Sequence, residues 1–248
     1  MYKIAIFDMD GTILNTLEDL TISTNYALEK MGKRHDFQPD LVRLCYGCAI
    51  DADMEKVLAM AAGCPAEDLE YIGNRIPLAQ YGFSSEEVQQ IKAIFTKHYS
   101  AHCHLHSHPY EGIPYVLHGL RRKGIHTAVA SNKDDCDVQK LAAAHFDGLF
   151  EVTIGNSEKV RRKPDPDMLL RILDTLHLMP ADAVYIGDSE VDVQTAKNAG
   201  MPCISVAWGF RTKDFLLRHG ATTVVENADE LLEELGVRSG GDEPSHCS

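Results

Sequence analysis

Ile4-Ala5-Ile6-Phe7-Asp8-Met9-Asp10-Gly11-Thr12 is the stretch from which the rest of the chain can be read. The apolar run Ile4 to Phe7 suits a strand buried on both faces, and it stops abruptly in two carboxylates and a Gly-Thr turn. Residues two apart on an extended chain project to the same side, so Asp8 and Asp10 leave the strand together. In an open α/β sheet, ligands bind at the carboxyl ends of the strands. Two acids placed there repel each other unless a cation or a basic group joins them. The segment outlines a reactive site.

Outward from this stretch, strands are expected at 3–7, 126–130, 152–154, 183–186, 203–206 and 222–225. Helical patterns at 113–123, 135–144, 166–176, 191–199 and 228–235 separate most of them. Such alternation builds right-handed βαβ units and a parallel sheet, so the expected fold class is α/β. Between Leu14 and about Tyr110 no strand is expected. Leu17, Leu20, Ala27, Leu28 and Met31 recur there at helical spacing, with Thr16 and Asp19 as a candidate capping box. Val57, Leu58 and Met60, then Val88, Ile91, Ile94 and Phe95, continue the pattern. An interval of that length is too long for a loop and reads as a helical domain inserted after the first strand. Residues 1–15 and 108–238 are assigned to the α/β core, 16–107 to the insert with its hinge segments, and 239–248 to a disordered tail.

Composition bounds the function. At 248 residues with 44% hydrophobic content, the chain can bury a substantial core. No run reaches the ~20 apolar residues of a membrane span, and the N-terminus enters a strand without a signal pattern, so a cytoplasmic location is expected. A formal net charge of -13 argues against nucleic acid or anionic membrane as partner, because both need clustered Lys and Arg. The 7 cysteines are odd in number and scattered, which favours reduced thiols over a disulfide framework. Cys45 and Cys48 make one C-x-x-C with no second pair to complete a metal site, and read as partly buried thiols of a helical segment.

Three further strand ends carry suggestive groups. Ser131-Asn132-Lys133 offers a hydroxyl, an amide and backbone donors at the expected start of a helix, a favourable seat for an anion. Arg161-Arg162-Lys163-Pro164-Asp165-Pro166 holds a cationic stretch ahead of another helix. Gly187-Asp188-Ser189-Glu190-Val191-Asp192 places two acids four apart, on one side of a first helical turn. Each piece alone also reads as an ordinary turn, cap or surface loop. Their occurrence in order at successive strand ends favours chemistry. Together they gather Asp8, Asp10, Asp188 and Asp192 with a lysine, a hard oxygen set suited to Mg²⁺ and a substrate phosphate.

These residues resemble the motifs of the haloacid dehalogenase superfamily of phosphohydrolases. Asp8-Met9-Asp10-Gly11-Thr12 is similar to its first motif, Ser131 in Val129-Ala130-Ser131-Asn132-Lys133 to its second, Lys163-Pro164 to its third, and Gly187-Asp188-Ser189 with Asp192 to its fourth. The resemblance implies a Rossmann-like three-layer core with an all-helical C1-type cap, as in the phosphoglycolate phosphatase-like subgroup. Pro109-Tyr110-Glu111-Gly112-Ile113 and Trp208-Gly209-Phe210-Arg211 are similar to that subgroup as well.

The resemblance also implies roles. Asp8 is the expected nucleophile, forming an aspartyl-phosphate, and Asp10 the proton donor and acceptor. Mg²⁺ is expected on Asp8, the Asp10 backbone carbonyl and Asp188, with Asp192 in support. Ser131 and groups around Gly11, Thr12 and Asn132 are expected to bind the phosphoryl oxygens, and Lys163 to offset charge on Asp8 and phosphate. Of two departures from the pattern, the first is expected to alter hinge bonding without loss of chemistry and the second bears on substrate choice. Asn15 stands where close relatives carry Asp, and Gly47-Cys48-Ala49 where phosphoglycolate phosphatases carry Gly-Asn-Gly in the cap. Leu20 stands where the superfamily's hexose-phosphate mutases carry a cap histidine, and Thr12 is the phosphatase-like choice, so hydrolysis is expected over transfer.

The expected activity is therefore a Mg²⁺-dependent phosphatase acting on a small phosphomonoester, 2-phosphoglycolate first. Pyrophosphatase, nucleotide or sugar-phosphate phosphatase and phosphomutase are alternatives on the same scaffold, and a silent phosphate-binding regulator is the non-enzymatic one. The expected partner is a small phosphorylated metabolite, with no nucleic acid or membrane, in a monomer or homodimer. One motif stays outside this scheme: His98, His102, His104, His106 and His108 surround Cys103. If extended, the last four histidines would share one face and could take Zn²⁺ or Ni²⁺.

Overall fold

The computed structural model describes residues 2–47, 49–70 and 80–237; Cys48 and the tail 239–248 lie outside them. The chain enters through β1 (Ile4–Phe7) and, after the acidic turn, makes a two-residue strand β2 (Leu14–Asn15). A helical stretch follows: α1 (Leu17–Lys30), α2 (Pro39–Val42) running into a 3-10 turn at Arg43–Cys45, α3 (Ile50–Ala61), α4 (Ala66–Glu70) and α5 (Ser85–His102). Strand β3 (His108–Pro109) then pairs antiparallel with β2, Leu14 opposite Pro109 and Asn15 opposite His108. Entry to and exit from the helices are thus stitched side by side. This ribbon corrects the expectation of no strand between Leu14 and Tyr110, since two residues are too few to show a period.

Beyond it the chain alternates: α6 (Ile113–Arg122), β4 (His126–Asp134), α7 (Asp135–His145), β5 (Val152–Asn156), α8 (Asp167–Leu176), β6 (Ala183–Gly187), α9 (Glu190–Ala199), β7 (Cys203–Val206), α10 (Lys213–Arg218), β8 (Val224–Val225) and α11 (Ala228–Glu234). The strands form one six-stranded parallel sheet in the order β5-β4-β1-β6-β7-β8. Strand β1 is central, and the connections leave it in opposite directions, which makes its carboxyl end the switch point where a crevice opens. Phe7 pairs with Val129 on one side and Ile186 on the other, so Asp8 emerges beside the ends of both neighbours.

Helices on both faces explain why β1 is apolar throughout rather than alternating. Ala5 and Phe7 pack with Val116, Leu117, Leu120, Val138, Leu141 and Leu231 from α6, α7 and α11. Ile4 and Ile6 point the other way, against Met168, Leu169, Ile172 and Leu173 of α8 and Ala196 and Ala199 of α9.

Three local expectations are revised. Thr16 and Asp19 do not form a capping box. The Asp19 carboxylate instead accepts from the backbone N–H of His106 at 3.1 Å and of Ser107 at 2.8 Å, and from the Ser107 hydroxyl at 2.7 Å. It ties the first helix to the segment returning from the helices, a stronger use of a buried carboxylate than a cap in water. Residues 131–133 do not open a helix: β4 runs on to Asp134 through a register shift, and α7 starts at Asp135. Such an irregularity re-aims side chains next to a site. The histidines do not share an extended face either, because α5 carries His98 and His102 and ends there, with Cys103 buried at its cap. Among the described residues no helix is long and apolar enough to cross a membrane.

Candidate active site

Asp8 stands at the floor of a cleft between the sheet and the helices, about 880 Å³ in extent and open to solvent. The N–H of Asp8 donates to the Ile186 carbonyl at 2.8 Å, which continues the β1–β6 ladder one step past the strand. Its Oδ1 accepts from the Met9 N–H at 2.7 Å and lies 2.9 Å from Lys163 Nζ. Burial pushes the Asp8 carboxyl up to about 7; Lys163 pulls it down, while Asp192 and Asp10 push it further up. A carboxylate in so negative a neighbourhood calls for more positive charge than one lysine supplies.

Lys163 is placed by Asn132. The Asn132 side chain accepts from the Lys163 N–H at 2.9 Å and donates to its carbonyl at 3.2 Å, clamping the segment to β4. The ammonium then meets Asp8 Oδ1, Asp192 Oδ1 at 2.8 Å and the Tyr185 hydroxyl at 3.0 Å. Burial opposes its charge, but Asp192 and Asp8 outweigh that and hold Lys163 above the ordinary lysine value. The other oxygen of Asp192 closes a capping box on Ser189, accepting from its N–H at 3.1 Å and its hydroxyl at 2.6 Å. Asp192 is therefore fully engaged in holding Lys163 and the start of α9. The sequence reading did not single out Tyr185, whose hydroxyl sits 3.0 Å from Asp192 and 3.1 Å from the Ala130 carbonyl. A tyrosine within a strand otherwise apolar and buried on both sides is the one signal that would have pointed to it.

Asp188 precedes the helix and is oriented from three sides. The Thr12 hydroxyl reaches its Oδ1 at 3.2 Å, and the Phe210 N–H donates to its Oδ2 at 2.7 Å. Gly11 packs against it: the backbone has φ +79°, and a Cβ there would lie 2.2 Å from Asp188 Oδ2. Only glycine fits. The N–H groups of Gly11 and Thr12 donate to the Leu14 and Met9 carbonyls, so these residues shape the turn and hold Asp188 rather than present free backbone donors to a phosphoryl group. Trp208 Nε1 secures the same turn by donating to the Thr12 carbonyl at 3.0 Å. Burial, then Asp192 and Asp8, raise Asp188 well above the usual carboxylate range.

Asp10 points into the cleft. Its Oδ2 lies 3.0 Å from Lys133 Nζ, and its Oδ1 is buried without a hydrogen-bond partner. Lys133 in turn donates to the Tyr99 hydroxyl of α5 at 2.7 Å and sits 4.3 Å over that ring. Sequence reasoning noted Lys133 only as part of a turn, and missed Tyr99, which is far from it along the chain. Ser131 lines the cleft as expected, its hydroxyl accepting from the Lys133 N–H at 3.3 Å.

Could this set hold a divalent cation? Carboxylate oxygens of Asp8, Asp188 and Asp192 all lie within 4.8 Å of one another, the only such group of potential ligands among the described residues. All are buried, two are pushed up by burial and then by their acidic neighbours, and the donors are hard oxygens. The residues fit such an ion. The histidines make no comparable group: His98 Nδ1 pairs with the Ser23 hydroxyl at 3.0 Å, and His98 stacks between Tyr26 and His102.

A parallel sheet with a carboxylate-rich switch point and a paired buried lysine defines a hydrolase-type centre, and comparison with known proteins specifies the class. A family profile described as haloacid dehalogenase-like hydrolase matches residues 5–206, and the chain belongs to that family. It is similar to a phosphoglycolate phosphatase of Aquifex aeolicus, 28% identical over 84% of this chain and 86% of the relative. An N-acetylmuramic acid 6-phosphate phosphatase of Pseudomonas aeruginosa is 28% identical over 94% of each chain. Among solved structures, a candidate phosphoglycolate phosphatase from Lactobacillus delbrueckii subsp. bulgaricus superposes with a TM-score of 0.90. It is 41% identical, over 94% of this chain and 98% of the other.

Proposed function

We propose that this chain is a Mg²⁺-dependent phosphatase of small phosphomonoesters, working through an aspartyl-phosphate, with 2-phosphoglycolate the first substrate to test. One observation carries the reading. Asp8 and Asp10 leave one strand end under opposite regimes: Asp8 is pinned against Lys163 among the metal-type carboxylates, whereas Asp10 keeps a buried oxygen without a partner. That separation suits a nucleophile and a proton carrier.

In this reading Asp8 attacks phosphorus through its outer oxygen while Lys163 balances charge on the acid and the arriving phosphate. Asp10 gives its proton to the leaving alkoxide and later takes one from the water that opens the acyl phosphate. Lys133 holds Asp10 by one oxygen and leaves the other to handle that proton. Ser131 and the backbone about Asn132 receive the phosphoryl oxygens, while Gly11 and Thr12 act through the turn that aims Asp188. Asp8, Asp188 and the Asp10 carbonyl would hold Mg²⁺, with Asp192 behind them, and the bound ion would supply Lewis-acid stabilisation of phosphoryl charge. Helices α1 to α5 serve as the cap that excludes water.

The test is hydrolysis of p-nitrophenyl phosphate and 2-phosphoglycolate with and without Mg²⁺. Asp8→Asn should abolish turnover with an unchanged circular dichroism spectrum, and Asp10→Asn should lower kcat by about 10² or more. Full activity of Asp8→Asn would refute the nucleophile, and metal-independent turnover would refute the cation.

A further inference from the structure

Three cationic side chains line the cleft: Lys133, Lys163 and Arg162. Two are committed. Lys133 is bound to Asp10 at 3.0 Å and Lys163 to Asp8 and Asp192 at 2.9 and 2.8 Å. Among the described residues no carboxylate lies within ion-pair distance of Arg162; its charge reaches only Asp51 of α3, which Lys92 already holds at 2.9 Å. Its Nε donates to the neutral Asn156 side chain at 2.8 Å, and Asn156 is itself braced by donating to Asp134 at 3.2 Å. This fixes the plane of the guanidinium and leaves its two terminal amino groups free, the end that grips an oxyacid bidentately. The neighbouring Arg161 is not equivalent, for it is occupied by Asp165 and Asp167. Half-burying a cation against an amide, one residue from Lys163, gains nothing for folding that a neutral side chain would not. It is explained if an anion arrives with the substrate.

We propose that Arg162 is the specificity-determining residue of this cleft and binds a second anionic group of the substrate, a carboxylate or a further phosphate, beyond the phosphoryl group that reacts. The assignment rests on the phosphatase reading above. It restricts the substrates to phosphomonoesters whose leaving alcohol is itself an acid, and disfavours those with a neutral alcohol. Arg162 touches no reacting atom in this scheme, so its contribution lies in binding and orientation.

A matched pair tests it: 2-phosphoglycolate and 2-hydroxyethyl phosphate, which differ in a carboxylate against a hydroxymethyl group. A bisphosphate and its monophosphate form a second pair, which separates a carboxylate from a phosphate as the group bound. The wild-type protein with Mg²⁺ should prefer the doubly anionic member of at least one pair by about tenfold or more in kcat/KM. In Arg162→Ala that ratio should fall towards one, the change appearing chiefly in KM, and Arg162→Lys should give an intermediate ratio because it keeps charge without the fork. Asn156→Ala should lower the ratio with the arginine still present, which covers the case in which Arg162→Ala folds poorly. A wild-type ratio near one in both pairs, or a ratio unmoved by Arg162→Ala, would overturn the assignment while leaving the phosphatase intact. Failure to hydrolyse any phosphomonoester, p-nitrophenyl phosphate included, would overturn both.

Discussion

Replacing Lys163 by methionine keeps the stem and deletes one charge, and the effect can be worked from the site. The ammonium is 2% exposed and stands within 3 Å of Asp8, Asp192 and Tyr185. Without it, oxygens of Asp8, Asp188 and Asp192 remain within 4.8 Å of one another in a buried pocket. At an effective dielectric of about 20 each such pair of charges repels by roughly 3.5 kcal/mol. The acids can escape by taking up protons. Asp8 already stands at about 7 with the lysine in place, so the added cost falls on groups still charged and is at most about 4 kcal/mol for one that starts from an ordinary carboxylate value at pH 7. The smaller route limits the damage, so Lys163→Met should lose about 3–5 kcal/mol, the range for orphaning a buried pair. Urea unfolding in chelator at pH 7 measures it. The sign with pH follows from the carboxylates: their folded pKa values in the variant lie above those in wild type, so the penalty is full at high pH and fades as the pH falls through the variant's values towards the wild-type ones, about 7 for Asp8. The deficit must therefore be smaller at pH 7 than at pH 9. A loss below about 1 kcal/mol, or a deficit that grows on acidification, would refute the charge arrangement.

Two further outcomes are expected away from the chemistry. Asp19→Ala leaves the His106 and Ser107 N–H groups and the Ser107 hydroxyl without their shared acceptor, so stability should drop by about 2–4 kcal/mol; calorimetry showing an unchanged Tm would remove the tether. Burial and the neighbouring His102 lower the pKa of His98, so the fold favours its neutral ring. That contribution is present above the unfolded histidine value and lost as the pH falls through the folded one, so the Tm advantage of wild type over His98→Gln should be larger at pH 7.5 than at pH 5.5. Parallel Tm curves would show that His98 is not the titrating group.

Much of the core could be read from the chain because its strands end in chemistry. Ile4–Phe7, Ala183–Gly187 and Cys203–Val206 are short apolar runs closed by acids or turns, and both faces of the sheet are covered, so the apolar signal is continuous. Features that depend on distant partners gave no local sign. Asp19 resembles a capping residue until the chain returns at His106, and Lys133 resembles a turn residue until Tyr99 of α5 reaches it. The helix α10, with six residues and Thr212 capping Phe215, is too short to show a period. The irregular end of β4 was hidden because Ser131-Asn132-Lys133-Asp134 has the composition of a helix entry, while pairing of Asp134 with Asn156 keeps it extended.

The contacts divide the site in a way that bears on how it works. Asp8, Lys163, Asp192 and Tyr185 hold one another entirely from the sheet and its flanking loops. The helices touch the site elsewhere: Tyr99 on Lys133, Ser100 on Asp137 at 2.9 Å, and the carbonyls of Arg43 and Tyr46 on the buried Arg211, at 3.3 and 3.1 Å. Arg211 directly follows Phe210, whose N–H orients Asp188. A displacement of the helices would leave Asp8 and Lys163 undisturbed but would strip Lys133 of its aromatic partner and Arg211 of its carbonyls. The groups exposed to such a motion are therefore Asp10, through Lys133, and the aim of Asp188. In the proposed mechanism, attack on phosphorus is thus prepared by the core alone, and completion of the site around the leaving group depends on where the helices lie.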